Sequence, residues 1–167
     1  MIAPSYVEDD PPDSSPVELV RAHAAGKARS VAEQAGDRPV LGVDTAVVLD
    51  DRTYGKPADA QEAAEMLDAL GGRTHEVVSG LCLLTPGWEE LAHDVTSVAF
   101  RPLTARDIAT YVAAGEWEGR AGAYAIQGRG AALVQRIEGD YLNVVGLPAS
   151  LLIRLLSERF AGAYGFG

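Results

Sequence analysis

Residues 41–49, LGVDTAVVL, decide the fold, because they have the composition of a buried strand and yet contain a carboxylate, Asp44. An isolated charge in a protein core is very costly, so this aspartate needs hydrogen-bond donors or a cation beside it. A lysine follows twelve residues later, in Gly55-Lys56-Pro57. These residues alone leave two interpretations open. Either Asp44 is satisfied by backbone amides at a sheet edge and Lys56 is a solvated turn lysine, or the two belong to a ligand site.

Helix signals lie on both sides of this strand, which is predicted to span residues 40–49. Upstream, SSPVE has a serine that can act as N-cap, Ser15, followed by a proline and, two residues later, a glutamate, so a helix is expected from there to about Gly36. Downstream, residues 50–55 are predicted to form a turn. Asp59 can then cap a second helix, which the glycine pair GG at 71–72 would end.

The middle of the chain has the pattern of a hairpin followed by a short helix. Strands are predicted at 76–84 and 93–100, joined by a turn at Pro86-Gly87. Thr104, with an aspartate three residues later, begins a helix that ends near Ala114.

The last third begins with the glycine-rich residues 119–130, which are expected to form a loop. A strand at 131–137 and a final helix beginning at Pro148 follow. Helices that alternate with strands, together with a hairpin, predict an α/β fold with a mixed sheet. A chain of 167 residues without a linker or repeat is expected to form one domain, residues 1–167.

Composition excludes several classes of protein. Hydrophobic residues make up 47% of the chain and charged residues 23%, as in globular proteins, and no apolar run approaches the ~20 residues that span a bilayer. The N-terminus lacks signal-peptide features and Cys82 is the only cysteine, so we expect a cytoplasmic protein. A net charge of −10 argues against nucleic-acid binding, and it means that an anionic substrate would need clustered Lys and Arg side chains or a metal ion.

Several motifs occur in a fixed order around the opening stretch. They are PVLGVDTAVVLD at 39–50, GKPADAQEAAEMLDALGGRTHEVVSGL at 55–81, VAFRPL at 98–103, AGAYAIQG at 121–128 and NVVGLP at 143–148. Each motif is weak by itself, but their co-occurrence is specific. Together they resemble the Maf family of nucleotide pyrophosphatases over roughly residues 5–157. The resemblance implies a Maf or inosine triphosphate pyrophosphatase-like fold.

The resemblance also implies a reaction. Such an enzyme hydrolyses a nucleoside triphosphate to the monophosphate and pyrophosphate by attack of water on the α-phosphorus. The reaction needs a base, positive charge on the phosphates and a divalent metal, Mg²⁺ or Mn²⁺. Asp44 matches the family's proton acceptor and a metal ligand, and Lys56 and Lys27 match lysines that contact the phosphates. Glu8 matches an acidic metal ligand; the alternative for Glu8 is a solvated acidic loop.

Two positions match residues that separate the branches of the family. Thr45 and Gln127, the latter within AYAIQG, are similar to those of the branch that acts on dTTP and UTP. A glutamine amide has both a donor and an acceptor, as the imide edge of a pyrimidine requires. Without the surrounding motif, Gln127 would be interpreted as a loop residue bonded to nearby backbone.

The chain also departs from the family pattern. Maf proteins begin with a strand, a Ser-x-Ser-Pro-Arg-Arg loop and a helix, and these 167 residues contain no such segment. Two explanations stay open: the protein starts further upstream, or the chain is shortened and its activity is impaired. Arg120 replaces the family's usual lysine and keeps its charge, while Ala125 replaces the usual glycine.

Three functions therefore compete. The leading hypothesis is a dTTP/UTP pyrophosphatase, and the resemblance implies a homodimer. The second is a catalytically impaired nucleotide-binding or regulatory protein linked to septum formation, and the third is a related enzyme that prefers purine nucleotides. His75 could act as a catalytic base, but a single histidine without a partner nucleophile is more often structural.

Overall fold

A five-stranded sheet forms the centre of the molecule in a computed structural model, which describes residues 2–11 and 14–160. The strands, in chain order, are β1 (Val40–Leu49), β2 (Arg52–Tyr54), β3 (Thr74–Thr85), β4 (Trp88–Phe100) and β5 (Val134–Glu138). Their order across the sheet is β2-β1-β3-β4-β5. Every pairing among these strands is antiparallel, whereas the sequence led us to expect a mixed sheet. The α/β class itself is confirmed.

Within the described residues, five helices and two short 3₁₀ turns surround the sheet. The helices are α1 (Pro16–Ala35), α2 (Ala60–Leu70), α3 (Ala105–Ala113), α4 (Tyr141–Val145) and α5 (Ala149–Phe160), and the 3₁₀ turns are Ala121–Ala123 and Arg129–Leu133. Helix α1 covers one face of the sheet, while apolar side chains of α2, α3, α4 and α5 pack on the other. No helix within the described ranges is long and apolar enough to cross a bilayer.

Local signals in the sequence predicted the helix starts correctly. Ser15 accepts a hydrogen bond from the backbone of Glu18, whose side chain bonds back to Ser15, so the expected capping box is present. Asp59 caps α2 in the expected way, and Thr104 forms a second capping box with Asp107 at α3. The predicted hairpin is also confirmed as β3 and β4, and both strands are longer than expected.

The prediction that residues 50–55 form only a turn was wrong. Asp50 and Asp51 both have positive φ, 49° and 62°, which is the geometry of a two-residue type I′ hairpin turn. The chain therefore reverses tightly, and β2 pairs with the last three residues of β1.

The predicted boundaries in the last third also needed correction. The expected strand at 131–137 begins only at Val134, because residues Arg129–Leu133 still turn as a 3₁₀ helix. Gly130 lies against the carbonyl of Ala125, where an added Cβ would be 2.4 Å from the carbonyl oxygen, so this turn has no room for a side chain. Helix α4 was not predicted at all, because five residues give too short a periodic pattern.

The backbone of helix α1 packs directly against β1 and β3, because two glycines face it. A Cβ on Gly42 would be 2.1 Å from the carbonyl oxygen of Ala24, and one on Gly80 would be 2.2 Å from that of Val20. Gly80 pairs with Asp44 across the two strands, so Asp44 points to the same face of the sheet. The close packing therefore brings α1 beside the carboxylate.

His75 belongs to the core on the opposite face. Its side chain is 1% exposed and contacts the rings of Phe100 and Tyr124 edge-on, with centroids 4.9 and 5.5 Å away. Its Nε2 lies 2.9 Å from the Tyr124 hydroxyl. Burial lowers the pKa of His75 to about 4, so the ring is neutral at pH 7.

We expect Gly80→Ala to lower the free energy of unfolding by roughly 1–3 kcal/mol or more, because the new methyl group would meet the backbone of α1, which cannot move aside as a flexible side chain can. Gly87→Ala, in the open β3–β4 turn with nothing within 4 Å of the added Cβ, is the matched control. Urea denaturation measures the free energy of unfolding of both variants. Equal stability of the two variants would contradict the close packing.

We also expect His75 to make unfolding pH-dependent. Its folded pKa lies below its unfolded value of 6.5, so the unfolded chain takes up the proton first. The stability is therefore complete above pH 6.5 and falls by about 3 kcal/mol as the pH drops to about 4. In His75→Phe this part of the pH dependence should vanish, whereas His93→Phe at an exposed position of β4 should keep it. The free energy of unfolding is measured by urea denaturation at each pH. If it changes with pH in the same way in wild type and His75→Phe, His75 is not the group responsible.

Candidate active site

Two neighbouring cavities lie beside the middle of β1. Their volumes are about 340 and about 230 Å³, and both are lined by Asp44, Thr45, Lys56 and Ala121. Strand β2 pairs only with residues 47–49, so the first seven residues of β1 have no strand partner on that side within the described ranges. The cavities therefore open at an unpaired stretch of sheet edge, where backbone and side chains of the same residues are accessible.

Asp44 is paired with a lysine of α1. The ammonium of Lys27 forms an ion pair with the Asp44 carboxylate, and a second carboxylate oxygen, Glu8 Oε1, lies 2.7 Å from the same nitrogen. Partial burial opposes the charge on Lys27, but the two carboxylates outweigh it, so the pKa of Lys27 is raised. The hydrogen bond from Lys27 lowers the pKa of Glu8. A single ammonium thus joins residues from three separate parts of the chain.

The smaller cavity is cationic, although the protein is strongly acidic. Three of its lining side chains are positively charged, Lys27, Lys56 and Arg120, and one, Asp44, is negatively charged. Gln127 also lines this cavity and is exposed. Anionic groups of a ligand would therefore be attracted locally, despite the net charge of −10.

The larger cavity has the opposite character. Its lining includes the carboxylates of Glu8, Asp10 and Asp51 in addition to Asp44, with Lys56 as its lysine. A cation is favoured on this side and an anion on the other, and Asp44 lies at the boundary.

Thr45 points to the face of the sheet opposite Asp44 and is fixed there. Its Oγ1 lies 2.8 Å from the hydroxyl of Ser79 on the neighbouring strand. The Ser79 hydroxyl also lies 3.5 Å from the backbone carbonyl of Asn143 in α4. The Asn143 amide donates to the carbonyl of Val77 and to the hydroxyl of Thr96, both at 3.0 Å. Thr45 is therefore linked to α4, and the end of α4 lines the smaller cavity.

A backbone hydrogen bond brings the remaining cationic segments together. The amide of Gly122 donates to the carbonyl of Gly55 at 3.0 Å, which joins the loop that contains Lys56 to the turn that follows Arg120. Gly122 has φ of +65°, and an added Cβ would be 2.8 Å from the side chain of Val47. A glycine is therefore needed at this position to bring the turn against β1.

A divalent cation fits the acidic side of the site only with help from a ligand. Glu8 and Asp44 both reach the Lys27 ammonium, so their oxygens already converge on one positive charge. Within residues 2–11 and 14–160, no group of three or more His, Cys, Asp or Glu side chains is arranged to hold a metal. Mg²⁺ often binds one or two carboxylates and completes its shell with waters and substrate phosphates. These two carboxylates fit that arrangement.

The structure brings together all six residues that the sequence singled out, around the two cavities: Glu8, Lys27, Asp44, Thr45, Lys56 and Gln127. Their roles stay predictions. Two further residues line the cavities without having been predicted to do so: Arg120, which keeps the charge of the family's usual lysine, in the smaller one, and His23 in the larger one. The spacing of His23 and Lys27, four residues apart on one helix, was an available signal that both lie on one face.

The amino-acid sequence is similar to those of known proteins over most of its length. The family described as Maf-like protein matches residues 1–159. A dTTP/UTP pyrophosphatase from Bacillus cytotoxicus is 47% identical over 150 residues, which cover 90% of this chain and 78% of the relative. Proteins of the same name from Symbiobacterium thermophilum and Nitratidesulfovibrio vulgaris are 48% and 46% identical; the matches cover 86% and 95% of this chain and 74% of each relative.

The shared ammonium gives a prediction about ionisation. In Lys27→Gln we expect the pKa of Glu8 to rise from its lowered value to the ordinary one or above, because the hydrogen bond and the positive charge are removed. Arg29→Gln is the control on the same helix, since Arg29 pairs with Glu89 instead. A carboxylate-detected NMR titration measures the pKa of Glu8 in both variants. An unchanged Glu8 titration in Lys27→Gln would show that the ion pair does not form in solution.

Proposed function

The chain belongs to the Maf-like protein family, and on this premise we propose that it hydrolyses dTTP and UTP to the monophosphate and pyrophosphate. The names of the relatives at 46–48% identity support this substrate class. The observation that carries the proposal is the cationic cavity beside a half-buried carboxylate in a protein of net charge −10. A triphosphate needs such a cavity, and a water molecule that attacks it needs such a base.

Asp44 is proposed to accept the proton of the attacking water. The water oxygen bonds to the α-phosphorus, the bond from that phosphorus to the bridging oxygen breaks, and pyrophosphate leaves. In the free protein, the Lys27 ammonium forms an ion pair with the Asp44 carboxylate. The phosphates compete for this ammonium, and its movement towards them would leave Asp44 free to act as a base.

Lys56, Lys27 and Arg120 are proposed to hold the phosphate oxygens. Lysine ammonium groups on flexible stems can follow the change in charge during the reaction, and an arginine can bind two oxygens at once. Lys56 suits this role because its side chain is exposed and lines both cavities.

Glu8 and Asp44 are proposed to hold Mg²⁺ or Mn²⁺ together with the substrate. When bound, the ion supplies positive charge to the phosphates. The protein's own contribution is to hold two carboxylates at one point beside the cationic cavity.

Thr45 and Gln127 are proposed to select the base. The Ser79 hydroxyl fixes the orientation of Thr45, and the exposed Gln127 amide can pair with both a donor and an acceptor of a pyrimidine imide edge. The homodimer and the cytoplasmic location expected from the sequence also stay predictions, which light scattering and cell fractionation test.

A substrate panel tests the proposed function. We expect pyrophosphate release from dTTP and UTP with Mg²⁺ or Mn²⁺, and a lower kcat/KM with ITP. The assay should use the 167-residue chain and a second form in which a Ser-x-Ser-Pro-Arg-Arg segment of the family is added before residue 1. Calorimetric nucleotide binding without turnover in both forms would favour the regulatory alternative, and a preference for ITP would favour the purine alternative.

Asp44→Asn should lower kcat at least about 100-fold, because the amide cannot accept the proton of water. The variant keeps the size of the side chain, so nucleotide binding should survive. Asp68→Asn, an exposed residue of α2, is the matched control and should keep full activity. If Asp44→Asn turns over at the wild-type rate, Asp44 is not the base.

A further inference from the structure

We propose that His23 is a positioning residue that holds residues 6–10 on α1 and thereby places Glu8 at the Lys27–Asp44 pair. This inference deepens the proposed function and rests on it for the role of Glu8. It is carried by three contacts: hydrogen bonds of Tyr6 and Asp10 to His23, and the packing of the Tyr6 ring at Gly26.

The imidazole of His23 contacts the N-terminal segment on both sides of Glu8. The Tyr6 hydroxyl lies 3.2 Å from Nδ1, and Asp10 Oδ1 lies 2.7 Å from Nε2. A neutral ring satisfies both contacts, because the hydroxyl donates to Nδ1 while the Nε2 hydrogen is donated to Asp10. Glu8 lies midway between the two attached residues, so its backbone is held at both ends.

The ring of Tyr6 gives a second attachment, at Gly26. A Cβ on Gly26 would be 2.2 Å from the Tyr6 ring, so the ring lies directly on the helix backbone. Gly26 immediately precedes Lys27, and this contact therefore fixes the segment beside the lysine that pairs with Glu8.

Glu8 needs such attachment because little else holds it. Its side chain is 49% exposed and belongs to a segment without helix or strand, while His23 is 4% exposed. An exposed ion pair by itself contributes little, since ordering a long side chain costs entropy. The buried imidazole is thus the rigid point from which the segment is positioned.

The test measures two properties, the mobility of the segment and the affinity for a cation. In His23→Leu we expect faster hydrogen exchange of the amides of residues 6–10. We also expect about 10-fold weaker Mn²⁺ binding by calorimetry in the presence of a non-hydrolysable dTTP analogue, as is typical when a group that orients a metal ligand is lost. Asp10→Ala, at an exposed position, should likewise speed the exchange of these amides, without a core substitution.

Matched variants separate positioning from a general loss of stability. Asp9→Ala removes the same charge from the neighbouring exposed position and should change neither measurement, and His93→Leu controls for loss of a histidine. In a Glu8→Gln background, His23→Leu should no longer weaken Mn²⁺ binding, because His23 acts only through Glu8.

Three results would overturn the proposal. These are unchanged exchange in residues 6–10, faster exchange with unchanged Mn²⁺ affinity, or an equal loss of affinity in the Glu8→Gln background. If the wild-type protein binds Mn²⁺ with the analogue as expected but releases no pyrophosphate, the proposed function fails, while the exchange and binding measurements still decide the role of His23.

Discussion

The structure depends on the direct contact between the backbone of α1 and two glycines of the sheet. Gly42 and Gly80 leave no room for a side chain, so the helix lies against β1 and β3 at the level of Asp44. Lys27 can then reach a carboxylate in the middle of a strand, and the segment that contains Glu8 can lie over both. An ordinary side chain at either glycine would force the helix away and separate these groups.

The Lys27 ammonium compensates the negative charge that Asp44 brings into the apolar strand LGVDTAVVL. A half-buried aspartate needs a cation, and here the cation comes from a helix and is shared with a second carboxylate. The charged residues around this pair give the site an acidic and a cationic side. The lining of one cavity is therefore positively charged, although the protein as a whole has a net charge of −10.

The sequence predicted the parts of the fold that depend on nearby residues. Ser15, Asp59 and Thr104 cap helices because the bonds they make span only three residues, and such signals are visible in a short window. Strand β2 escaped prediction because it depends on positive φ at two aspartates, a conformation that glycine or asparagine would have signalled more clearly.

The candidate site was predicted through the family motifs, and its geometry was not. Residue spacing could not show that one ammonium joins Glu8 to Asp44, since α1 must first pack on the sheet. The attachment of Tyr6 and Asp10 to His23 was equally hidden, because it joins an irregular segment to a helix and has no periodic signature.

The unpaired edge of β1 has a consequence for how the site can change during evolution. Alternate residues of an edge strand direct their N–H and C=O groups outwards, and here the outward side borders both cavities. A base that bonds to these groups is recognised by the peptide chain itself, whose donors and acceptors are the same for almost every amino acid. Point mutations of the surrounding side chains would leave these backbone groups unchanged, so they are the part of the site that varies least with sequence.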